Sequence, residues 1–407
     1  MFLEVLLFFL AGTALGVVAG LVPGLHPNTV LVIMVSLVWF SPGQLSYPLL
    51  AFITSISVSN AMVNFIPSIM LGAPEPDSAL SVLPGHRLLM RGRGYDALFL
   101  SVTGSVCAIL LTVPALPFLL WLIPTVAGHV HAYMHWLMIA VLVLLLMNEK
   151  GRMKVCSLFI FIFTGLAGFM LLSALSGDQV LFPAFTGLFG VSIIMTSVMQ
   201  SAALPEQKIR PVRCSWMRGS VAGWIAGMFV GILPGIGSAQ AGVLASRTLR
   251  GKQKDFLVAL GGIATANMVF TLVALYALGK TRSGAAWAVS QMVGAITLAD
   301  VCFIILISLL TCFTCSMITL RLGRLFLSRM QAVPYDRLNM AILVFLILLL
   351  VAFSGINGVI IASLCTVIGL CCDRLGVKKM YMMGFLMLPT ILYFSGLSVP
   401  MLLVLGM

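Results

Sequence analysis

The sequence predicts an all-α polytopic membrane protein made of two inverted-topology repeats, with re-entrant or broken helices and about ten full crossings. Three observations predict it. Of 407 residues, 61% are hydrophobic and 8% charged, and the mean hydropathy is +1.15. Charged residues make up roughly a quarter of an ordinary globular chain, so no soluble domain hides this much apolar surface. The second observation is an internal repeat. Gly16-Val17-Val18-Ala19-Gly20-Leu21-Val22-Pro23-Gly24 and Gly227-Met228-Phe229-Val230-Gly231-Ile232-Leu233-Pro234-Gly235 share the form G-x-x-x-G-x-x-P-G at a constant offset of 211 residues. Asn60 with Asn267 and Gly72 with Gly279 recur at an offset of 207. One small gap between two aligned sets of landmarks is the trace of a duplication.

Charge placement is the third. Bases fall in short clusters between apolar runs, and basic connections alternate with non-basic ones, as the positive-inside rule requires. In the first half the cluster Arg87 to Arg93 follows the second broken stretch, whereas in the second half Arg247 to Lys254 follows the first. Both clusters are cytoplasmic only when the halves are inverted, and an odd number of crossings per half inverts them. The expected division is a first repeat over 1–204, a cytoplasmic linker over 205–218 and a second repeat over 219–407.

The elements follow in order. Phe2 to Leu21 is the first arm of a broken hairpin; it has no basic n-region and an acidic Glu4, so it reads as part of the mature protein and not as a signal peptide. The tip Pro23 to Asn28 and a short apolar return from Thr29 to Phe40 make a re-entrant hairpin. A crossing from Leu49 to Leu71 carries Ser55, Ser57, Ser59, Asn60 and Asn64, and a second broken stretch runs from Gly72 to Ser78. Crossings near Ala97 to Leu122, Ala132 to Met147, Val155 to Leu175 and Phe182 to Val198 complete the half. The second half repeats the order with Ser220 to Leu233, the tip Pro234 to Ser238, a crossing from Phe256 to Leu278, a broken stretch from Gly279 to Gly284 and a short helix to Ile296. Crossings near Val301 to Leu320, Ala341 to Ser354, Val359 to Leu370 and Met382 to Leu405 end it, with a basic connection from Arg321 to Arg337.

The broken stretches carry the chemistry. Every amide at membrane depth needs a partner, so a Pro-Gly break is tolerated only where it faces protein or a watery cavity. Helix N-termini present free N–H groups and a partial positive charge, so short helices starting beside Pro23-Gly24 and Pro234-Gly235 form an anion seat. Asn28 and Ser238 stand where N-caps belong, and Gly237 opens the second turn. His26 either touches the ligand or bonds within the turn. Asn60, Asn64 and Asn267 are costly in mid-membrane unless satisfied, by substrate or by neighbouring helices. Glu75 and Asp77, acids within a broken membrane stretch, are the candidates for coupling to an ion, with N-capping as the alternative for Asp77. The two glycines of G-x-x-x-G also suit close helix packing.

Other classes are excluded or set aside. The formal charge of +12 reports orientation and not nucleic-acid binding, because the bases are dispersed between apolar runs. The nine cysteines, including Cys312 and Cys315, lie almost wholly within apolar runs and read as packing. His129, His131 and His135 lack an acidic partner for a metal. Neither a P-loop nor a hydrolase motif is present. No cofactor is expected beyond Na+ or H+ as a coupling ion.

Gly20-Leu21-Val22-Pro23-Gly24-Leu25, Leu71-Gly72-Ala73-Pro74 and the segment Pro84 to Leu98 resemble the TctA family, the large membrane subunit of tripartite tricarboxylate transporters. Arg91-Gly92 and Ala97-Leu98 match the family pattern, Pro84-Gly85-His86 stands in place of its Asp-Gly-Tyr, and Pro234-Gly235-Ile236-Gly237 resembles the second tip. Lys280 and Arg282 depart from a stretch that is usually richer in glycine and proline. The resemblance implies ion-driven uptake of a carboxylate such as citrate, at the cell membrane, with a small membrane subunit and an extracytoplasmic binding protein as partners. A flippase for a lipid-linked phosphate would use the same positive helix ends and open sideways to membrane lipid. A membrane enzyme or a non-transporting subunit is the reading from a different class, and the sparse grouping of Glu75, Asp77 and His26 does not favour it.

Overall fold

The computed structural model describes residues 2–22, 31, 47–70, 84–85, 87–147, 149–175, 177–199, 205–209, 212, 216–232, 238, 241–242, 245, 249, 253–279, 281, 283–293, 296–330 and 335–398. No strand occurs among them. The helices are α1 (Phe2–Leu21), α2 (Tyr47–Met70), α3 (Gly94–Ala132), α4 (Met134–Met147) and α5 (Arg152–Ala174). Next comes α6, in three pieces: Gly177–Phe185, a π-helical Thr186–Val191 and Ser192–Met199. The second half contributes α7 (Trp216–Ile232), α8 (Gln253–Leu278), α9 (Gly284–Val293), α10 (Leu298–Met330), α11 (Tyr335–Arg374) and α12 (Gly384–Phe394). Seven stretches among the described residues are long and apolar enough to cross a membrane. The chain is an all-α polytopic membrane protein.

Irregularities have local causes. Within α2, Val63 and Phe65 are separated by a turn at Asn64. Pro67 has no N–H for the Val63 carbonyl four residues back and crowds it. The long α11 breaks at Gly355, whose φ of 61° suits a residue without Cβ. Expected boundaries hold closely for α1, and α10 is longer than expected. It runs to Met330, so Arg321, Arg324 and Arg329 lie on helix where a basic connection was expected.

The repeat is visible as packing. Along α1, Gly12, Gly16 and Gly20 press on the backbones of Phe52, Ile56 and Asn60 of α2. Along α7, Gly223, Gly227 and Gly231 press on Ala259, Ile263 and Asn267 of α8. The first set of residues is offset by 211 and the second by 207, the offsets of the sequence landmarks. Partners advance together, so α1 runs parallel to α2 and α7 parallel to α8. Residues 22 and 47 therefore lie towards opposite ends of the first pair.

The two copies run in opposite directions. At one face the Gln253 amide, at the start of α8, donates to the Pro84 carbonyl (2.9 Å), and Gly85 packs on Ile69 at the end of α2. At the other face Leu272 and Leu275, near the end of α8, share a cluster with Leu49, Leu50 and Phe52 near the start of α2. The mates α3 and α10 are likewise antiparallel, with Gly94 beside Leu327 and Leu98 beside Gly323.

Contacts between halves are reciprocal: α3 packs on α8 as α10 packs on α2, and α6 packs on α11 as α12 packs on α5. This is the pattern of a pseudo-two-fold axis. The helices sort into two groups, α1–α3 with α7–α10 and α4–α6 with α11–α12. Among the described residues, extensive contacts stay within each group, and the groups meet chiefly where α4 follows α3. In the second group, Glu149 accepts from Lys378 Nζ (2.7 Å) with Tyr381 Oη 3.1 Å away, and Asp373 accepts from Lys379 Nζ (2.8 Å) and Thr196 Oγ1 (3.0 Å).

Candidate functional site

Asn60 and Asn267 stand at equivalent places, each against the last turn of the helix that leads to a Pro-Gly tip. A Cβ on Gly20 would lie 3.1 Å from the Asn60 carbonyl oxygen and 2.9 Å from Val63 Cβ. One on Gly231 would lie 3.0 Å from the Asn267 carbonyl oxygen and 2.6 Å from Phe270 Cβ. Only glycine allows this approach, and Pro23 and Pro234 follow each glycine by three residues. Each helix thus meets an asparagine three residues before its Pro-Gly in the sequence.

The asparagines differ in how they are satisfied. Asn60 is 2% exposed, and its Nδ2 has no hydrogen-bond partner among the described residues. Burying an amide donor without a partner costs about 1–3 kcal/mol. Asn267 is 8% exposed, slightly more open. Asn64 is bound within its own helix: Ser68 Oγ donates to its carbonyl (2.8 Å) and lies 3.4 Å from its Oδ1. Ser238 is buried and hydrogen-bonded or otherwise engaged. Pro23, Gly24, His26, Asn28, Glu75, Asp77, Pro234, Gly235 and Gly237 lie outside the described residues.

The serines of the polar stripe are packing groups. Ser55, Ser57 and Ser59 donate to the carbonyls of Phe52, Ile53 and Ser55, three or four residues back, at 3.1, 2.8 and 2.6 Å. Ser55 and Ser59 also fill the spaces that Gly12 and Gly16 leave open. Groups that stand out only in the structure are the buried hydroxyls of Thr13, Thr54, Thr265 and Ser308, which lack partners among the described residues. Isolated Thr and Ser give no periodic signal, and only the packing shows that their oxygens are stranded.

A basic belt lies at the face where α2 and α10 end and α3 and α8 begin. Arg93 pairs with Asp96, Arg324 stacks 5.0 Å over the Tyr95 ring, and the Gly94 N–H donates to Gln207 Oε1 (2.9 Å). The Lys208 N–H donates to the Gly92 carbonyl (2.8 Å). The segment that carries the family-like Arg91-Gly92 thereby ties Gln207 and Lys208 to the start of α3 and the turn before it. The other face has Asp300, which caps α10 by accepting from the Thr297 N–H (2.8 Å) and hydroxyl (2.7 Å).

An antiparallel pair of parallel-helix units, α1 with α2 and α7 with α8, each with an asparagine packed against the last turn of its first helix, has the plan of inverted-repeat membrane transporters. The model of the family described as "Tripartite tricarboxylate transporter TctA family" matches residues 6–384, and the chain belongs to that family. It is similar to a protein of Methanocaldococcus jannaschii named uncharacterized protein MJ1079, with 28% identity over 405 residues, covering 96% of this chain and 98% of the relative. No solved structure matches.

Proposed function

We propose that this protein is a secondary permease that carries a small organic anion, a di- or tricarboxylate, across the cell membrane at the expense of an Na+ or H+ gradient. The observation that carries the reading is the buried Asn60 against the last turn of α1, whose Nδ2 has no hydrogen-bond partner among the described residues, with Asn267 at the matching place in the inverted copy. Two amides and two helix starts offer neutral donors, which suit a carboxylate that must also leave. In this reading the repeats occupy 1–204 and 219–407, the linker 205–218 and the basic belt are cytoplasmic, and Pro23, Gly24, His26, Asn28, Asn64, Pro234, Gly235, Gly237 and Ser238 surround the anion. Glu75 and Asp77 link its movement to the ion. A small membrane subunit and an extracytoplasmic binding protein deliver substrate, as the family's tripartite description implies.

The test is the melting temperature of the purified protein against citrate, other small carboxylates, inorganic phosphate and a polyprenyl phosphate. A ligand at about 100 times its Kd stabilises by about 2.7 kcal/mol. Stabilisation by a carboxylate is expected. Stabilisation by the polyprenyl phosphate alone would replace the reading with lipid transport.

A further inference from the structure

We propose that Arg321 and Arg324, in the last turns of α10, hold the phosphodiester of an anionic phospholipid at the face where α3 begins. The site is independent of what the protein carries.

Helix length fixes the depth of the two bases. Residues 301–320 of α10 contain no charged side chain, and Asp300 and Arg321 bound the run. The step from Asp300 to Arg321, 21 residues, rises about 31 Å, and the hydrocarbon core of a bilayer is about 30 Å thick. The run therefore spans the hydrocarbon, with Asp300 near one boundary and Arg321 near the other. Arg324 stands about one turn further out, at the depth of lipid phosphates.

The same register turns both bases towards lipid. Leu306, Leu310, Phe313 and Met317 are 43–58% exposed and recur every three or four residues, which is one face of a helix. In a membrane protein such a face meets acyl chains. Arg321 and Arg324 are the next two positions of the series, and both are exposed. The other side of α10 is occupied by α3, where Gly323 meets Leu98 and Leu327 meets Gly94. A lipid lying along the apolar stripe brings its headgroup to the two guanidinium groups.

Neither base is used inside the protein. The Arg324 guanidinium lies 5.0 Å from the centre of the Tyr95 ring, and neither arginine has a hydrogen bond or ion pair with a described residue. Tyr95 is buried at the start of α3. An aromatic ring against a guanidinium holds it in place without consuming its N–H groups, which stay free to fork onto phosphate oxygens. Nearby acids compete little: Asp96 is held by Arg93, Asp255 is buried, and the exposed Glu206 belongs to the linker beside Gly92. The exposed Arg91 and Lys208 flank that same turn, so the field over the start of α3 is positive.

The test is the melting temperature of the purified full chain in detergent, with dioleoylphosphatidylglycerol added at rising mole fraction. Dioleoylphosphatidylcholine, which has the same acyl chains and no net charge, is the control. A saturable rise with the anionic lipid is expected, and none with the control or with inorganic phosphate. Arg321→Gln and Arg324→Gln should each raise the half-saturating mole fraction about fivefold, which is what one base at an anionic surface is worth. Arg329→Gln removes the same charge about 12 Å beyond Arg321 and off the stripe, and should change it by less than about twofold. Tyr95→Phe keeps the ring and should bind as the unaltered protein does, whereas Tyr95→Leu should weaken binding as Arg324→Gln does. Equal losses in the three arginine variants would mean diffuse attraction and would overturn the site, as would an equal rise with phosphatidylcholine. A rise with inorganic phosphate as large as that with the anionic lipid would make this a site for soluble anions and overturn the lipid reading. No carboxylate is present, so neither result bears on the proposed transport.

Discussion

Gly231 presses on the Asn267 backbone as Gly20 presses on that of Asn60, with would-be Cβ to carbonyl distances of 3.0 and 3.1 Å. The match ties the duplication to the site: each copy uses one glycine to lay the end of a helix against one membrane-buried asparagine, just before a Pro-Gly.

Gly16 and Gly227 should therefore be intolerant of side chains. Gly16→Val and Gly227→Val drive methyls into the Ile56 and Ile263 backbones, which lie 2.5 and 2.7 Å from a Cβ at these positions. Overpacking of this kind costs about 1–3 kcal/mol or more. Gly190→Ala is the control, since its Cβ meets nothing closer than 3.5 Å. Thermal melts should show a marked loss for the first two and a small change for the third.

Asn60 should behave as a functional group and not as a structural one. Asn60→Ala removes an Nδ2 that has no hydrogen-bond partner among the described residues, so transport should be lost while the protein stays folded. Ser68→Ala, by contrast, removes the hydroxyl that binds Asn64 and should cost about 1 kcal/mol of stability. Paired melts and uptake assays on the two variants check the opposition.

The two ion pairs around Lys378 and Lys379 should be unequal. Asp373 and Lys379 are both largely enclosed, and Thr196 shares the carboxylate, so Lys379→Met should cost about 1–2 kcal/mol. Lys378 is half exposed, and Tyr381 stays beside Glu149 without it, so Lys378→Met should cost no more than about 1 kcal/mol. Melts in low and high salt should show the Lys378 effect fading first.

Much of this architecture was legible in the sequence because membrane helices announce themselves by apolar runs and repeats by spacing. The run Phe2 to Leu21 became a helix with those bounds, and the 211 and 207 offsets reappeared as packing partners. Charge misled at Arg321 to Arg329, because these residues favour helix and Arg324 gains a partner in Tyr95. The π-helical turn Thr186–Val191, where Gly187 lies against the Ala362 backbone of α11, had no signal in the sequence. At the site, Asn60 and Asn267 stood out as polar residues in mid-membrane. Composition does not tell which hydroxyls turn back to their own helix, so Ser55 and Ser59 looked no different from Thr54.

Topology has its own check. Single cysteines at Lys208 and Lys254 should be labelled by a membrane-impermeant reagent from the same side, because Lys208 binds Gly92 and the start of α8 binds Pro84. A cysteine at Thr281, past the other end of α8, should be labelled from the opposite side.

The central claim is that the paired asparagines beside the two breaks bind a carboxylate in transit. Its most direct test is uptake of radiolabelled citrate and related carboxylates into proteoliposomes, with any required partner proteins supplied, for the unaltered protein, Asn60→Ala and Asn267→Ala. The account predicts gradient-dependent uptake that both variants lose while remaining folded. Undiminished uptake by both variants would contradict it.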